Sequence, residues 1–166
     1  DAVRQSVESS LERLGLDRID VLLCHDIDVW THGDEQQTIF EVAANGALPA
    51  LRDLREQGVI RAIGLGVNEW EVCVRVLDTI DVDCFLLAGR FTLLEQTPLD
   101  EMLPRCVAEE VSVIIGGPYN SGLLANADRR RATYDYKPAP DHLWDKAQRI
   151  REVCSGHSVD MRAAAL

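Results

Sequence analysis

Four polar side chains stand where apolar runs of this sequence give out. His25, Asp26 and Asp28 follow the run from Ile19 to Cys24, and Asn68 follows the run that ends at Val67. An imidazole gives or takes a proton near neutral pH. A carboxylate accepts paired hydrogen bonds, and a carboxamide both donates and accepts. His25, Asp26 and Asp28 are also metal-ligand types, which leaves a metal site as an alternative chemistry here. A third run ends in Gly116-Gly117-Pro118-Tyr119-Asn120-Ser121-Gly122. Glycine-bearing loops of this kind present backbone and hydroxyl donors to phosphates, so Gly117, Tyr119 and Ser121 are candidates for that role, with a plain turn as the bland alternative.

The elements that must position these groups alternate between helix and strand. Val3, Val7, Leu11 and Leu14 recur at helical spacing, and that helix closes at Gly15. Ile19 to Cys24 is almost unbroken apolar sequence, the pattern of a strand covered on both faces. Residues 26–38, which include Trp30, read as a polar loop, and Asn45-Gly46 as a break in the chain. Pro49 then occupies the first turn of a helix that turns Leu48, Leu51 and Leu54 inward. Ile60 to Val67 form a second strand, interrupted by Gly64 and Gly66, and Asn68 can cap the helix predicted over 69–79. Val82 to Ala88 and Val111 to Ile115 are the third and fourth strands, with a helix start signalled by Thr97-Pro98-Leu99-Asp100 between them. Residues 123–140 show no period and read as a long tyrosine-bearing lid or a disordered loop. A helix over 141–154 and a last one from about Ser158 complete the series.

This order makes the chain α/β, either an open doubly wound sheet or part of a (β/α)8 TIM barrel with about four parallel strands alternating with helices. No GxGxxG follows any strand, which weighs against a dinucleotide-binding Rossmann domain. In both architectures the carboxyl ends of the strands face the ligand crevice, and His25, Asn68 and the Gly116 loop all fall there. The 166 residues amount to one domain, and both ends look cut through a larger fold. Four strands cannot close a barrel, so the missing half is expected from elsewhere, in another segment or a homo-oligomer partner.

Hydrophobic residues make up 46% and charged residues 27%, a globular balance with no membrane segment. A formal charge of −11 disfavours nucleic acid and anionic membranes as partners, because phosphate binding needs clustered Lys and Arg. Five scattered cysteines without a CxxC pair point to reduced thiols and the cytoplasm.

The runs Leu14 to His25, "LGLDRIDVLLCH", Leu51 to Gly64, "LRDLREQGVIRAIG", and Ser112 to Ala125, "SVIIGGPYNSGLLA", resemble the aldo-keto reductase family, in the right order and at three strand ends. Within it, "GLGVNEW" and "GGPYNSGLLA" are most similar to the branch of sugar and pyridoxal dehydrogenases. The resemblance spans nearly the whole chain. It implies hydride transfer between NAD or NADP and a carbonyl, with a Tyr as proton donor, a Lys and an Asp that tune it, and a His that orients the carbonyl. It identifies His25 as that His and places the other three on strands preceding these residues; Tyr119, Tyr134 and Tyr136 do not match the donor. It gives Asn68 the nicotinamide carboxamide, and Gly117, Tyr119 and Ser121 the pyrophosphate. Gly116 falls where many relatives stack an aromatic ring on the nicotinamide, and Ala88 near a frequent Gln. Asp26, where better-known branches often have Trp, suits a polyhydroxy substrate, and Trp30 offers a wall on which a sugar packs. The expectation is an NAD(P)-dependent dehydrogenase of a sugar or similar small polar substrate, with a non-catalytic nicotinamide-binding subunit or a metal-dependent barrel hydrolase as alternatives.

Overall fold

The structure, a computed structural model, describes residues 2–166. Helix α1 (Ala2–Leu14) leads into strand β1 (Val21–His25), then α2 (Val29–His32), α3 (Gln36–Val42), a π-helical turn (Ala43–Ala47) and α4 (Leu48–Glu56). Strand β2 (Ala62–Val67), α5 (Glu71–Leu77), β3 (Cys84–Ala88), α6 (Met102–Ala108) and β4 (Ser112–Gly116) follow. A two-residue hairpin, β5 (Thr133–Tyr134) with β6 (Lys137–Pro138), precedes α7 (Asp141–Gly156) and α8 (Met161–Ala165). The four main strands are parallel and ordered β1-β2-β3-β4.

Burial follows this order. The central strand β2 is buried from Ile63 to Val67, whereas β1 pairs only with β2 and leaves Val21 45% exposed. The expectation that the Ile19 run is covered on both faces is therefore corrected: its residues are apolar, but β1 is an edge strand here. Beneath the sheet, Leu48, Leu51 and Leu54 of α4 are buried, as their spacing requires, and each contributes about 1.5–3 kcal/mol by leaving water. At the amino ends of the strands, Asp83 Oδ2 accepts from Ile63 N at 2.8 Å and pairs with Arg55 Nη1 at 2.7 Å, extending the ladder. Gly64 is a steric requirement, since a methyl group there would lie 1.7 Å from the carbonyl oxygen of Cys84.

Two helix boundaries differ from expectation. Asn45-Gly46 does not break the chain, because Leu48 N donates to Ala43 O across five residues and the helix widens into a π turn. Pro49 has no N–H to give Asn45 O, and its ring would crowd that carbonyl in a regular helix; the wider turn relieves both problems. Thr97–Leu99 forms only a 3-10 turn, and α6 starts at Met102.

The chain divides into two compact units, Asp1–Leu87 with Asp100–Ile114, and Ala88–Leu99 with Ile115–Leu166. In the second, Leu94, Leu123, Leu124, Ala132, Ala139, Ala147 and Met161 form the core. All five cysteines are free thiols. Among the described residues no helix is long and apolar enough to cross a membrane.

Candidate functional site

In the first unit the site is built at the carboxyl ends of β1 and β2. His25 is the last residue of β1 and lies beside Gly66, and Asn68 follows β2 directly. Gly66 makes room for the imidazole: a methyl group there would come within 3.0 Å of His25 Cδ2 and 3.7 Å of Nε2.

Asp26 continues the ladder past the end of β1, donating its N–H to Gly66 O at 2.9 Å, and then turns into the left-handed region at φ 48°. That turn brings its carboxylate back over both strand ends. Oδ2 lies 2.9 Å from His25 Nδ1, and Oδ1 accepts from Asn68 Nδ2 at 3.3 Å. The carbonyl of Asp26 is met by His32 Nε2 at 2.7 Å.

Asp28 is the residue sequence reasoning undervalued. It is fully buried, and its carboxylate accepts from Thr31 N (3.0 Å), Thr31 Oγ1 (2.6 Å), Asn68 N (2.6 Å) and Asn68 Nδ2 (3.4 Å). One side chain thus caps α2 and ties it to the end of β2. Of residues 26–38, expected as a loop, those from Val29 on are accordingly helical, with Gln36 Nε2 donating to Ile27 O at 3.0 Å. Asn68 is not a helix cap, because α5 begins at Glu71 behind Trp70 and the Asn68 amide is held by Asp26 and Asp28. Trp30 stands in α2, 49% exposed, with its backbone N–H donated to Glu69 Oε2 at 2.9 Å.

Burial pushes the Asp28 carboxyl up, but the hydrogen bonds from Thr31 and Asn68 outweigh it and hold it below the ordinary carboxylate value. A folded-state value below the unfolded one gives stability that is complete above about pH 4 and is lost as pH falls through the depressed value. Urea unfolding between pH 5 and pH 3 is expected to show a falling midpoint in the wild type and a flatter one in Asp28→Asn. Equal slopes would contradict this.

In the second unit, Asn120 organises the loop after β4. It is buried, donates Nδ2 to Gly89 O at 2.9 Å and accepts from Thr92 Oγ1 at 2.7 Å, tying the loops after β3 and β4 together. Gly117 turns at φ 59°, and Asn120 and Ser121 are also left-handed. Of the predicted phosphate-loop residues, Tyr119 donates its hydroxyl to Arg162 O at 3.3 Å, and Ser121 Oγ accepts from Tyr136 N at 3.3 Å. The aperiodic segment 123–140 is ordered by the β5-β6 hairpin, whose Asp135 pairs with Arg90 through both oxygens at 3.2 Å. Tyr134 donates to Glu95, and burial together with that bond pushes its phenol upward.

Among the described residues no group of three or more His, Cys, Asp and Glu side chains comes together as a metal cluster. Asp28 spends its oxygens on Thr31 and Asn68.

The profile of the Aldo/keto reductase family matches residues 1–166. A D-threo-aldose 1-dehydrogenase from a Pseudomonas species is 39% identical over 165 residues, which cover 99% of this chain and 48% of that protein. A pyridoxal 4-dehydrogenase from Microbacterium luteolum is 37% identical over 167 residues, covering 100% and 49%. A solved glycerol dehydrogenase from Gluconobacter oxydans superposes with a TM-score of 0.67 at 22% identity, over 98% of this chain and 49% of that one, a likeness of fold. The chain spans about half the length of the curated relatives it matches. It belongs to the aldo/keto reductase family, and its four parallel strands with their helices are part of that family's (β/α)8 barrel.

Proposed function

We propose that this chain is the central part of a nicotinamide-dependent oxidoreductase that moves a hydride between NAD or NADP and a sugar, or a similarly small polar aldehyde or alcohol. The observation that carries the reading is the shared carboxylate of Asp26, which touches both the His25 imidazole and the Asn68 amide at neighbouring strand ends. A nicotinamide carboxamide fits there. Asp26 and Asp28 hold the Asn68 Nδ2 group and so fix the plane of its amide, whose oxygen is the acceptor type that a carboxamide N–H needs.

Each residue then has one task. Asn68 orients the nicotinamide ring, and His25 orients the substrate oxygen. Gly117, Tyr119 and Ser121 are assigned the pyrophosphate. Asp26 keeps a second lone pair on each oxygen for substrate hydroxyls, and Trp30 supplies an apolar wall. The bound cofactor supplies the hydride chemistry. The Tyr proton donor and its Lys and Asp partners are assigned to residues outside 1–166, so these residues alone bind cofactor without turnover. Free thiols throughout fit a reducing compartment such as the cytoplasm.

Fluorescence titration of the chain with NADH and NADPH, paired with an absorbance assay using L-fucose and NAD, tests this. Saturable binding of at least one cofactor and no dehydrogenation are expected. Binding of neither overturns the cofactor assignment, and robust turnover overturns the assignment of the proton donor.

A further inference from the structure

The position of Asp26 constrains more than the direction of a side chain. Its carboxylate lies 2.9 Å from His25 Nδ1. A ring protonated only on Nε2 would set the Nδ1 lone pair against carboxylate lone pairs at that distance. Only a proton on Nδ1 makes the contact attractive. Asp26 is also held in place, with its N–H on Gly66 O, its carbonyl on His32 Nε2 and its other oxygen on Asn68 Nδ2. The Cδ2–Nε2 edge of the His25 ring lies beside Gly66, which has no side chain of its own, with Leu23 Cδ1 the next side-chain atom near that point. His25 remains 72% exposed, so its far nitrogen is open to a ligand.

We infer that Asp26 is a positioning residue that selects the Nδ1–H tautomer of His25, so that the neutral ring presents Nε2 as a hydrogen-bond acceptor. An acceptor there matches the hydroxyl of an alcohol or of a cyclic sugar, which donates a proton, and does not match a bare carbonyl, which needs a donor. This inference rests on the proposed role of His25 and deepens it: the substrate class favoured by the resting site is the alcohol.

Long-range proton–nitrogen correlation spectra of the 15N-labelled chain at about pH 8.5, two units above the ordinary histidine value of about 6.5, report which ring nitrogen is protonated. Loss of signals in His25→Gln assigns them. The wild type is expected to show Nδ1–H at His25. Asp26→Ala is expected to lower the Nδ1–H to Nε2–H ratio at least tenfold. Asp26→Asn is also expected to lower the ratio, because its single side-chain oxygen cannot accept from both His25 Nδ1–H and Asn68 Nδ2, and an NH2 group turned to His25 favours a bare Nδ1. A purely architectural role would leave the tautomer unchanged in a folded variant. If Asp26→Ala does not fold by its backbone amide spectrum, the wild type and Asp26→Asn decide. Predominant Nε2–H in the wild type, or one ratio shared by the wild type and a folded Asp26→Ala, overturns the inference. Failure of NADH to bind while the Nδ1–H tautomer is present counts against the cofactor assignment alone.

Discussion

Gly64→Ala is expected to leave the first unit unfolded. The added methyl carbon would sit 1.7 Å from Cys84 O and 2.7 Å from Cys84 C, and both are backbone atoms of the neighbouring strand. Backbone in the middle of a sheet cannot swing aside as a side-chain terminus can. Relief requires β2 and β3 to separate where Gly64 pairs with Cys84. The cost is expected to exceed about 4 kcal/mol, among the largest that single substitutions produce, against a total stability of about 5–15 kcal/mol for a natural domain. Gly66→Ala is the control two residues along the strand. The one tight contact of its methyl would be His25 Cδ2, at 3.0 Å, and an exposed ring can give way. Circular dichroism and soluble yield should therefore separate the two variants. A Gly64→Ala protein with the wild-type urea midpoint would contradict the strand packing described here.

The second large effect is expected from Asp28→Ala. The substitution removes the acceptor of Thr31 N, Thr31 Oγ1, Asn68 N and Asn68 Nδ2, and it leaves donors behind in a buried place. Hydrogen bonds to charged groups are worth about 1.5–3 kcal/mol each, and buried unpaired donors cost about 1–3 kcal/mol. Part of that loss is offset because ionised Asp28 is itself costly to bury. A net loss of about 3 kcal/mol is expected, which for a chain of this length lowers Tm by about 6–12 °C. The same change releases the backbone of Asn68, so NADH binding is expected to weaken about tenfold in the variant that still folds. A thermal midpoint within about 2 °C of wild type would refute the role of Asp28 as a clamp.

Much of the architecture is legible in the residues. The apolar runs, their spacing and the breaks between them give four strands and the main helices, and they place His25 and Asn68 at strand ends. What is missed depends on contacts across the chain. Asp28 reads as one more polar residue in a loop, because nothing local shows that its partner is Asn68, forty positions on. The same blindness makes residues 26–38 look unstructured, although the Asp28 cap and the Gln36 bond to Ile27 O order them. Asn45-Gly46 carries the local marks of a break, yet the π turn carries the helix through because burial of Leu48, Leu51 and Leu54 outweighs those propensities. Asp26 reads in the sequence as an acid at a strand end, and nothing local shows it as the bridge between His25 and Asn68. That bridge depends on the left-handed turn at Asp26 and on the β1-β2 register. Asn120 escapes notice in the phosphate-loop motif for a similar reason, since its partners Gly89 and Thr92 lie after another strand.

The most direct measurement is a nuclear magnetic resonance titration of the 15N-labelled chain with reduced nicotinamide mononucleotide, which carries the reactive ring without the adenosine half. The Asn68 side-chain amide and the His25 ring nitrogens are expected to move together along one saturation curve. Movement of only one of them, separate curves for the two, or no movement at saturating ligand would contradict this.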